Sequence, residues 1–490
     1  MKPAMVLGRL GVAACVSLFA WSGARAEGPA AKAKGLIERV LHNSDPATDD
    51  AAVRNLFSGG DDHYDSLAAG FQAAPEVPAP TARATDQAAA APNGKPNCPN
   101  GAPEEPAPEP APGLLMQMFD KHCCGLKEKG IKVYGWLEQG YTFNPDSPDN
   151  RLNFGRLFDD RSNDYRFNQM VLRIEKTVEP GPNYDFGFMI DLLYGSDARF
   201  IHAVDLLDNT FDENTVQFDP IQFHGVVHLP WLTQKGMDLM LGRFVTLQGY
   251  EVIAATGNPL YSHSYIFNFG IPFSHTGVML HTYLGDNWLV KTGLVNGINT
   301  FGDNNDHWAF HGGLNYVPAE GKLNVFNSIH AGPENPDNND DWRVIVSSQP
   351  VIKWTDKLTQ VHDLNAGWDA LGPGAEWYGI ANYLIYALSE KYSLVLRYEV
   401  FRDDDGFAVA TFPENDDFAN VLRGAPNTAL FGGATTYQEF TLGVNVRPYG
   451  SLIVRPEVRW DWVCDSVVTP FDDFSDSNQF TLGCDVIWTF

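Results

Sequence analysis

Cysteine is scarce, and those that would follow an N-terminal cleavage (Cys98, Cys123, Cys124, Cys464 and Cys484) are odd in number and lack metal-ligand spacing. Adjacent Cys123 and Cys124 are open to oxidation or to pairing between chains, whereas Cys484 reads as a small hydrophobe. Apart from one short N-terminal stretch, nothing approaches the ~18 consecutive apolar residues of a membrane helix. A helical membrane protein is thereby excluded, but a β-barrel is not, because its strands show only weak, alternating hydropathy. Basic residues are few: 34 Lys and Arg stand against 61 Asp and Glu, a net charge of −27. Such a balance disfavours a nucleic-acid partner. There is no G-x-S-x-G, no H-E-x-x-H and no phosphate-cradling glycine loop. The 13 histidines are scattered, and His263 with His275 alone make no metal set. The sequence therefore implies no enzyme, cofactor or metal.

What is present begins with an export pattern. Lys2 and Arg9 precede the apolar stretch V-A-A-C-V-S-L-F-A-W at 12–21, and Ala24 and Ala26 supply an A-x-A site. The reading is a signal peptide over 1–26. Residues 27–130 form an extension with one amphipathic stretch, A-K-G-L-I-E-R-V-L, and an Ala/Pro-rich run over 72–113. That composition cannot bury a core. Residues 114–129 are expected to add a helical turn or two.

From residue 131 the chain alternates between strand and connection. Candidate strands lie at 131–142, 164–176, 183–194, 219–229, 237–245, 274–284, 287–297, 308–317, 322–330, 342–354, 357–368, 375–387, 391–402, 434–447, 451–462 and 479–490. These are about sixteen, each near the ~9–11 residues of a tilted membrane strand. Connections sort by parity. Long ones (143–163, 195–218, 246–273, 403–433) alternate with short ones such as Gly285-Asp286, Thr355-Asp356 and P-Y-G at 448–450. An up-and-down membrane barrel requires this sorting, whereas a soluble sandwich has no reason for it. The expected fold is an all-β, antiparallel, up-and-down transmembrane barrel over 131–490.

The terminal strand, Q-F-T-L-G-C-D-V-I-W-T-F, has one apolar row (Phe480, Leu482, Cys484, Val486, Trp488, Phe490) opposite a largely polar one. Its final aromatic resembles the C-terminal signature of bacterial outer-membrane barrels. Elsewhere charges likewise occupy one row. An Arg or Lys facing lipid near the midplane costs about 2–4 kcal/mol, so the charged row must face a watery lumen. The expected pore-lining residues are Arg173, Glu175, Asp191, Arg243, Lys291, Arg397, Glu399, Glu439, Arg455, Glu457, Arg459 and Asp461. Tryptophans near strand ends, Trp136, Trp231, Trp288, Trp308, Trp342, Trp354, Trp377, Trp460, Trp462 and Trp488 among them, are expected in interfacial girdles.

Segment 246–273 is long, aromatic and nearly uncharged, with Glu251 its only carboxylate. Leaving it in water would be costly. It is expected to fold into the barrel as a constriction loop carrying Tyr250, Glu251, Tyr261, His263, Tyr265 and Phe267; the alternative is packing on a neighbouring protomer. Loops with clustered Asp (403–405, 416–417, 472–473) are expected to be solvated.

The motifs Y-G-W-L-E-Q-G-Y-T-F-N (134–144), F-N-Q-M-V-L-R-I-E-K (167–176), D-F-G-F-M-I-D-L-L-Y-G (185–195), L-G-R-F-V-T-L-Q-G-Y-E (241–251) and N-P-L-Y-S-H-S-Y-I-F-N-F-G-I-P-F-S-H-T-G (258–277) follow one another in the first half of the barrel region. By them and by its terminal strand, the chain resembles the beta-barrel porin-2 family (OmpL-like) of Gram-negative-type bacteria. The resemblance implies an outer-membrane channel and assigns no residue a role. The expectation is passive diffusion of small hydrophilic solutes or ions, with outer-membrane lipid as surroundings, a homotrimer as one possible assembly and the extension in the periplasm. A barrel plugged by 246–273 and serving as a structural or adhesive surface protein remains the alternative. A secreted carbohydrate-acting β-protein is a third reading.

Overall fold

The computed structural model describes residues 113–122, 125–208, 214–319, 321–370, 373–423, 428–464 and 467–490. The signal-peptide reading and most of the extension lie outside the described residues, as do Cys98, Cys123 and Cys124. The helical turns expected after residue 113 are present as α1 (Leu114–His122).

The strands are β1 (Lys132–Phe143), β2 (Asp164–Lys176), β3 (Asp185–Gly195), β4 (Gln217–Leu229), β5 (Met237–Val245), β6 (Ser274–Leu284), β7 (Trp288–Val295), β8 (Ala309–Tyr316), β9 (Leu323–Pro333), β10 (Trp342–Lys353), β11 (Leu358–Asp369), β12 (Ala375–Ala387), β13 (Tyr392–Asp403), β14 (Ala410–Thr411), β15 (Leu430–Phe431), β16 (Thr435–Tyr449), β17 (Leu452–Val463) and β18 (Asn478–Thr489). β14 and β15 pair only with each other, beside the short helix α2 (Asp417–Leu422), inside one long connection. All the others join neighbour to neighbour into a closed antiparallel barrel of sixteen strands. β2, β5, β6 and β12 have the bounds read from the sequence. The largest difference is at β9, which runs on to Pro333.

The barrel closes where β1 meets β18, in register from Trp136 opposite Thr489 to Phe143 opposite Leu482. Phe490 extends the seam: its N–H donates to Gly135 O and the Gly135 N–H donates back, both at 3.0 Å. A Cβ on Gly135 would lie 2.2 Å from Val171 O and 2.7 Å from the Phe490 ring, so only glycine fits this joint.

Row polarity follows the alternation. On β18, Phe480, Leu482, Val486 and Trp488 are exposed on the outer surface, while Gln479, Thr481, Asp485 and Ile487 are buried. On β17, Val458 and Trp460 are outside, and Arg455, Glu457, Arg459 and Asp461 are inside. We expect Leu482→Arg, mid-strand on the outer row, to lower the stability of the vesicle-folded barrel by about 2–4 kcal/mol in urea titrations. Leu482→Val should change it by less than about 1.5 kcal/mol.

Two expectations need correction. Trp231, Trp288, Trp308, Trp354, Trp460 and Trp488 are exposed on the outside, but Trp136 and Trp377 are buried on the inner row. Their ring N–H groups find partners there: Trp136 Nε1 donates to Gln169 Oε1 (2.9 Å) and Trp377 Nε1 to Gly270 O (3.1 Å). Nor are the acidic loops simply solvated. Asp403 is fully buried and accepts from the N–H groups of Phe407, Ala408 and Val409, each at 2.9 Å. Asp417 is buried and accepts from the Thr428 and Glu414 N–H groups, and Asp473 accepts from the Asn150 N–H. Carboxylates here satisfy loop backbone that would otherwise be orphaned.

The long connections meet in one aromatic cluster. Phe158 packs on Phe267 (5.5 Å between ring centroids), Phe273 on Phe418 (6.1 Å), Phe200 on Phe418 (5.9 Å) and Phe154 on Phe471 (6.0 Å). These rings come from five different connections, so the long-loop end has a core of its own.

Candidate functional site

Segment 246–273 leaves β5 and re-enters β6, yet its hydrogen bonds are made with strands far around the barrel. The Tyr250 N–H donates to Asp363 Oδ2 on β11 (2.8 Å), and the Gly249 N–H to Ser347 Oγ on β10 (3.1 Å). The Tyr261 and Ser262 N–H groups donate to the two oxygens of Glu457 on β17 (2.9 and 3.1 Å). Those of Tyr265 and Ile266 donate to the two oxygens of Glu399 on β13 (2.6 and 2.8 Å). Each glutamate thus holds two successive backbone donors, a pincer that a chain without regular structure needs when removed from water.

Arginines take the carbonyls. Arg455 Nη1 donates to Ala255 O (2.9 Å) and Asn258 O (2.7 Å), and its other edge binds Asp485 and Glu138. Arg459 donates to His263 O and pairs with Asp461 (2.7 Å). Arg397 donates to Ser262 O (2.7 Å), pairs with Glu251 Oε1 (2.6 Å) and binds Glu439. Two wall glycines admit the segment: a Cβ on Gly140 would lie 2.2 Å from Tyr261 Oη, and one on Gly443 2.4 Å from Leu260 Cδ2.

Glu251 is the hub. It meets Arg397, accepts from Tyr383 Oη (3.0 Å) and from the Ser264 N–H (2.8 Å), and lies 3.0 Å from His263 Nδ1. Burial raises the Glu251 carboxyl, but Arg397, His263 and the Ser264 N–H outweigh it and hold it well below the usual carboxylate range. For His263, burial lowers the imidazole despite Glu251 beside it. The His263 ring stacks on Phe267 at 3.9 Å, Tyr250 packs on Tyr383 at 4.8 Å, and Tyr265 lies over Arg459 with its Oη on Asp461 (3.1 Å).

The expected pore-lining residues therefore divide. Arg397, Glu399, Glu439, Arg455, Glu457, Arg459 and Asp461 meet around segment 246–273. Arg173, Glu175 and Asp191 form a separate group on β2 and β3: Arg173 pairs with Asp191, and Tyr134 Oη donates to Glu175 (3.2 Å). Lys291 is half-buried on β7, opposite His281 and Gly313 in register. Arg243 belongs to neither group. It is fully buried at the end of β5 and donates to Asp219 (2.8 Å), Ile201 O (2.7 Å), Pro220 O (3.0 Å) and Ser274 Oγ (3.2 Å). Sequence reasoning missed the buried carboxylates Glu138, Asp363 and Asp485, although each occupies the inner row of its strand. It also missed Arg156, which bridges Asp159 and Asp461 (2.5 and 2.6 Å) from a connection with no periodicity to betray it.

A closed antiparallel barrel, apolar outside and densely ionised inside, defines an outer-membrane channel protein. The chain belongs to the family described as "Putative beta-barrel porin-2, OmpL-like", whose model matches residues 130–490. Comparison with curated proteins gives no match. Among solved structures it is similar to an anion-selective porin from Comamonas acidovorans (11% identity, 74% of this chain and 99% of that one, TM-score 0.49). It is also similar to the outer membrane channel DcaP of Acinetobacter baumannii (11% identity, 74% and 97%, TM-score 0.46). A third is OprB of Pseudomonas putida (13% identity, 74% and 95%, TM-score 0.45).

Proposed function

We propose that the protein is a diffusion porin, passing small hydrophilic solutes or ions through a lumen narrowed by segment 246–273. The observation that carries this reading is the closed sixteen-strand barrel with its ionised inner row. A barrel of that strand number leaves room for an aqueous channel, and unlike charges across it set a field that orients what passes. The narrowing is supported by the pincers of Glu399 and Glu457 and by the hub at Glu251. Arg397, Arg455 and Arg459, buried against segment 246–273, are assigned to fastening it to the wall, and Arg173, Glu175, Asp191 and Lys291 to the wall away from the segment.

A periplasmic course for residues 27–130 belongs to the same reading. It rests on the even strand number, which brings both ends of the barrel to the short-turn face. A homotrimer is part of the proposal and is tested by crosslinking in native membranes. A second reading, a barrel stoppered by 246–273, is favoured by how completely that segment is bonded. The two separate in a planar bilayer. The full chain, shown folded by heat-modifiable migration, should give stepwise currents; a folded barrel that passes none overturns the porin and leaves the stopper.

A further inference from the structure

Three histidines distant in sequence meet on the inner wall beside the root of segment 246–273. His311 on β8 and His330 on β9 are directly opposite in register. His275 on β6 reaches them across β7, where the residue facing His311 is Gly293, without a side chain. The ring centroids lie 4.0 Å (His275–His311), 5.1 Å (His275–His330) and 5.5 Å (His311–His330) apart. All three side chains are fully buried, and one nitrogen from each lies within 4.8 Å of the others.

The nitrogen accounts point to a ligand. His330 Nε2 is 2.5 Å from Glu334 Oε1, so the carboxylate fixes the proton there and leaves Nδ1 as a lone pair; that Nδ1 is buried with no hydrogen-bond partner among the described residues. Glu334 is itself oriented by the Ile298 N–H (2.7 Å). His275 Nδ1 lies 2.9 Å from Gly297 O, which fixes the second proton and leaves Nε2 as a lone pair, 3.1 Å from Thr246 Oγ1. An imidazole held by a carboxylate or carbonyl at its far nitrogen is the usual outer shell of a metal-bound histidine. His311 Nδ1 is also buried without a partner among the described residues, while its Nε2 accepts the Leu247 N–H (3.1 Å) and lies 3.4 Å from Thr246 Oγ1. Coordination through Nε2 exchanges that backbone bond for a metal bond.

We propose that His275, His311 and His330 form a binding site for a divalent transition ion of the zinc class, with Glu334 and the Gly297 carbonyl orienting two of the ligands. Three imidazoles suit zinc, copper or nickel and not calcium or magnesium, which take oxygen. Zinc–nitrogen bonds of about 2.0–2.1 Å require the three ligand nitrogens to converge by roughly an ångström, which rotation of the rings supplies. The Thr246 hydroxyl beside two of the rings marks the open fourth position. A bound ion would release the Leu247 N–H from His311 and so change how the first residues of segment 246–273 meet the wall at β8.

The test uses the full chain without an affinity histidine tag, folded in detergent and titrated with Co²⁺ and then Zn²⁺. We expect one Co²⁺ per barrel at this site, with the intense visible bands of a four-coordinate ion, lost when Zn²⁺ displaces it. His311→Ala and His330→Ala should abolish those bands, and Glu334→Gln should weaken binding about tenfold or more. His307→Ala, an exposed histidine, should leave them unchanged. Heat-modifiable migration checks that each variant folds, and Gln replaces Ala at either histidine where it does not. A folded wild type that gives no four-coordinate spectrum overturns the site, as do folded His311 and His330 variants that bind like wild type. The spectrum is independent of conductance, so failure here is distinct from failure of the porin reading.

Discussion

Deleting residues 252–268 should raise single-channel conductance severalfold while leaving the barrel closed. β5 and β6 pair directly from Met237–Thr282 to Val245–Ser274, so the wall does not depend on the excised residues. What the deletion removes is the chain bridging Glu457 on β17 and Glu399 on β13, with the aromatic side chains of Tyr261, Tyr265 and Phe267. The freed carboxylates and guanidinia then face a wider lumen, where water takes over the lost hydrogen bonds. Current through a sixteen-strand cylinder grows with its open cross-section. Planar-bilayer recording of wild type and deletion at one salt concentration decides the matter: equal conductance defeats the narrowing.

Arg397→Ala carries the second large effect. This guanidinium is fully buried and binds Glu251, Glu439, the Ser262 carbonyl and Ser262 Oγ (3.2 Å). Its removal leaves Glu251 and Glu439 buried without the cation they share; Arg459, 3.8 Å from Glu439 Oε2, compensates only in part. Breaking such a pair by deleting one partner costs about 3–5 kcal/mol. Urea unfolding of the vesicle-embedded barrel should show that loss. A cycle with Glu251→Gln should show coupling of about 0.5–3 kcal/mol between the two sites. A loss below about 1 kcal/mol would mean that water, and not protein, satisfies these groups. The same substitution unfastens the Ser262 turn, so conductance should rise with it, though less than in the deletion.

How far the sequence alone reaches depends on periodicity. β17 and β18 were legible because Arg455, Glu457, Arg459 and Asp461 alternate without a break against Val458 and Trp460. Segment 246–273 stood out because its aromatics and single carboxylate set it apart from the acidic loops; that its backbone bonds to Glu399 and Glu457 was not legible. Trp136 and Trp377 misled, since a tryptophan near a strand end looks the same whether it faces lipid or reaches inward to an amide or carbonyl. Asp403 misled for a related reason: a run of aspartates reads as wet, and only the chain's path reveals three backbone N–H groups closing on one of them. Arg156 and Asp363 act across the barrel, and His275, His311 and His330 meet only because of strand order. No local pattern records such meetings.

The aromatic cluster shared by the long connections has a consequence for how this protein presents itself to its surroundings. Because Phe158, Phe200, Phe267, Phe418 and Phe471 belong to one buried cluster, the long connections form a single packed cap instead of independent fingers. Grafting one loop from a relative, or inserting a tag at a ring-bearing position, should disturb the others together. Substitutions outside the cluster, such as in the exposed turn around Asp340, should leave the cap undisturbed.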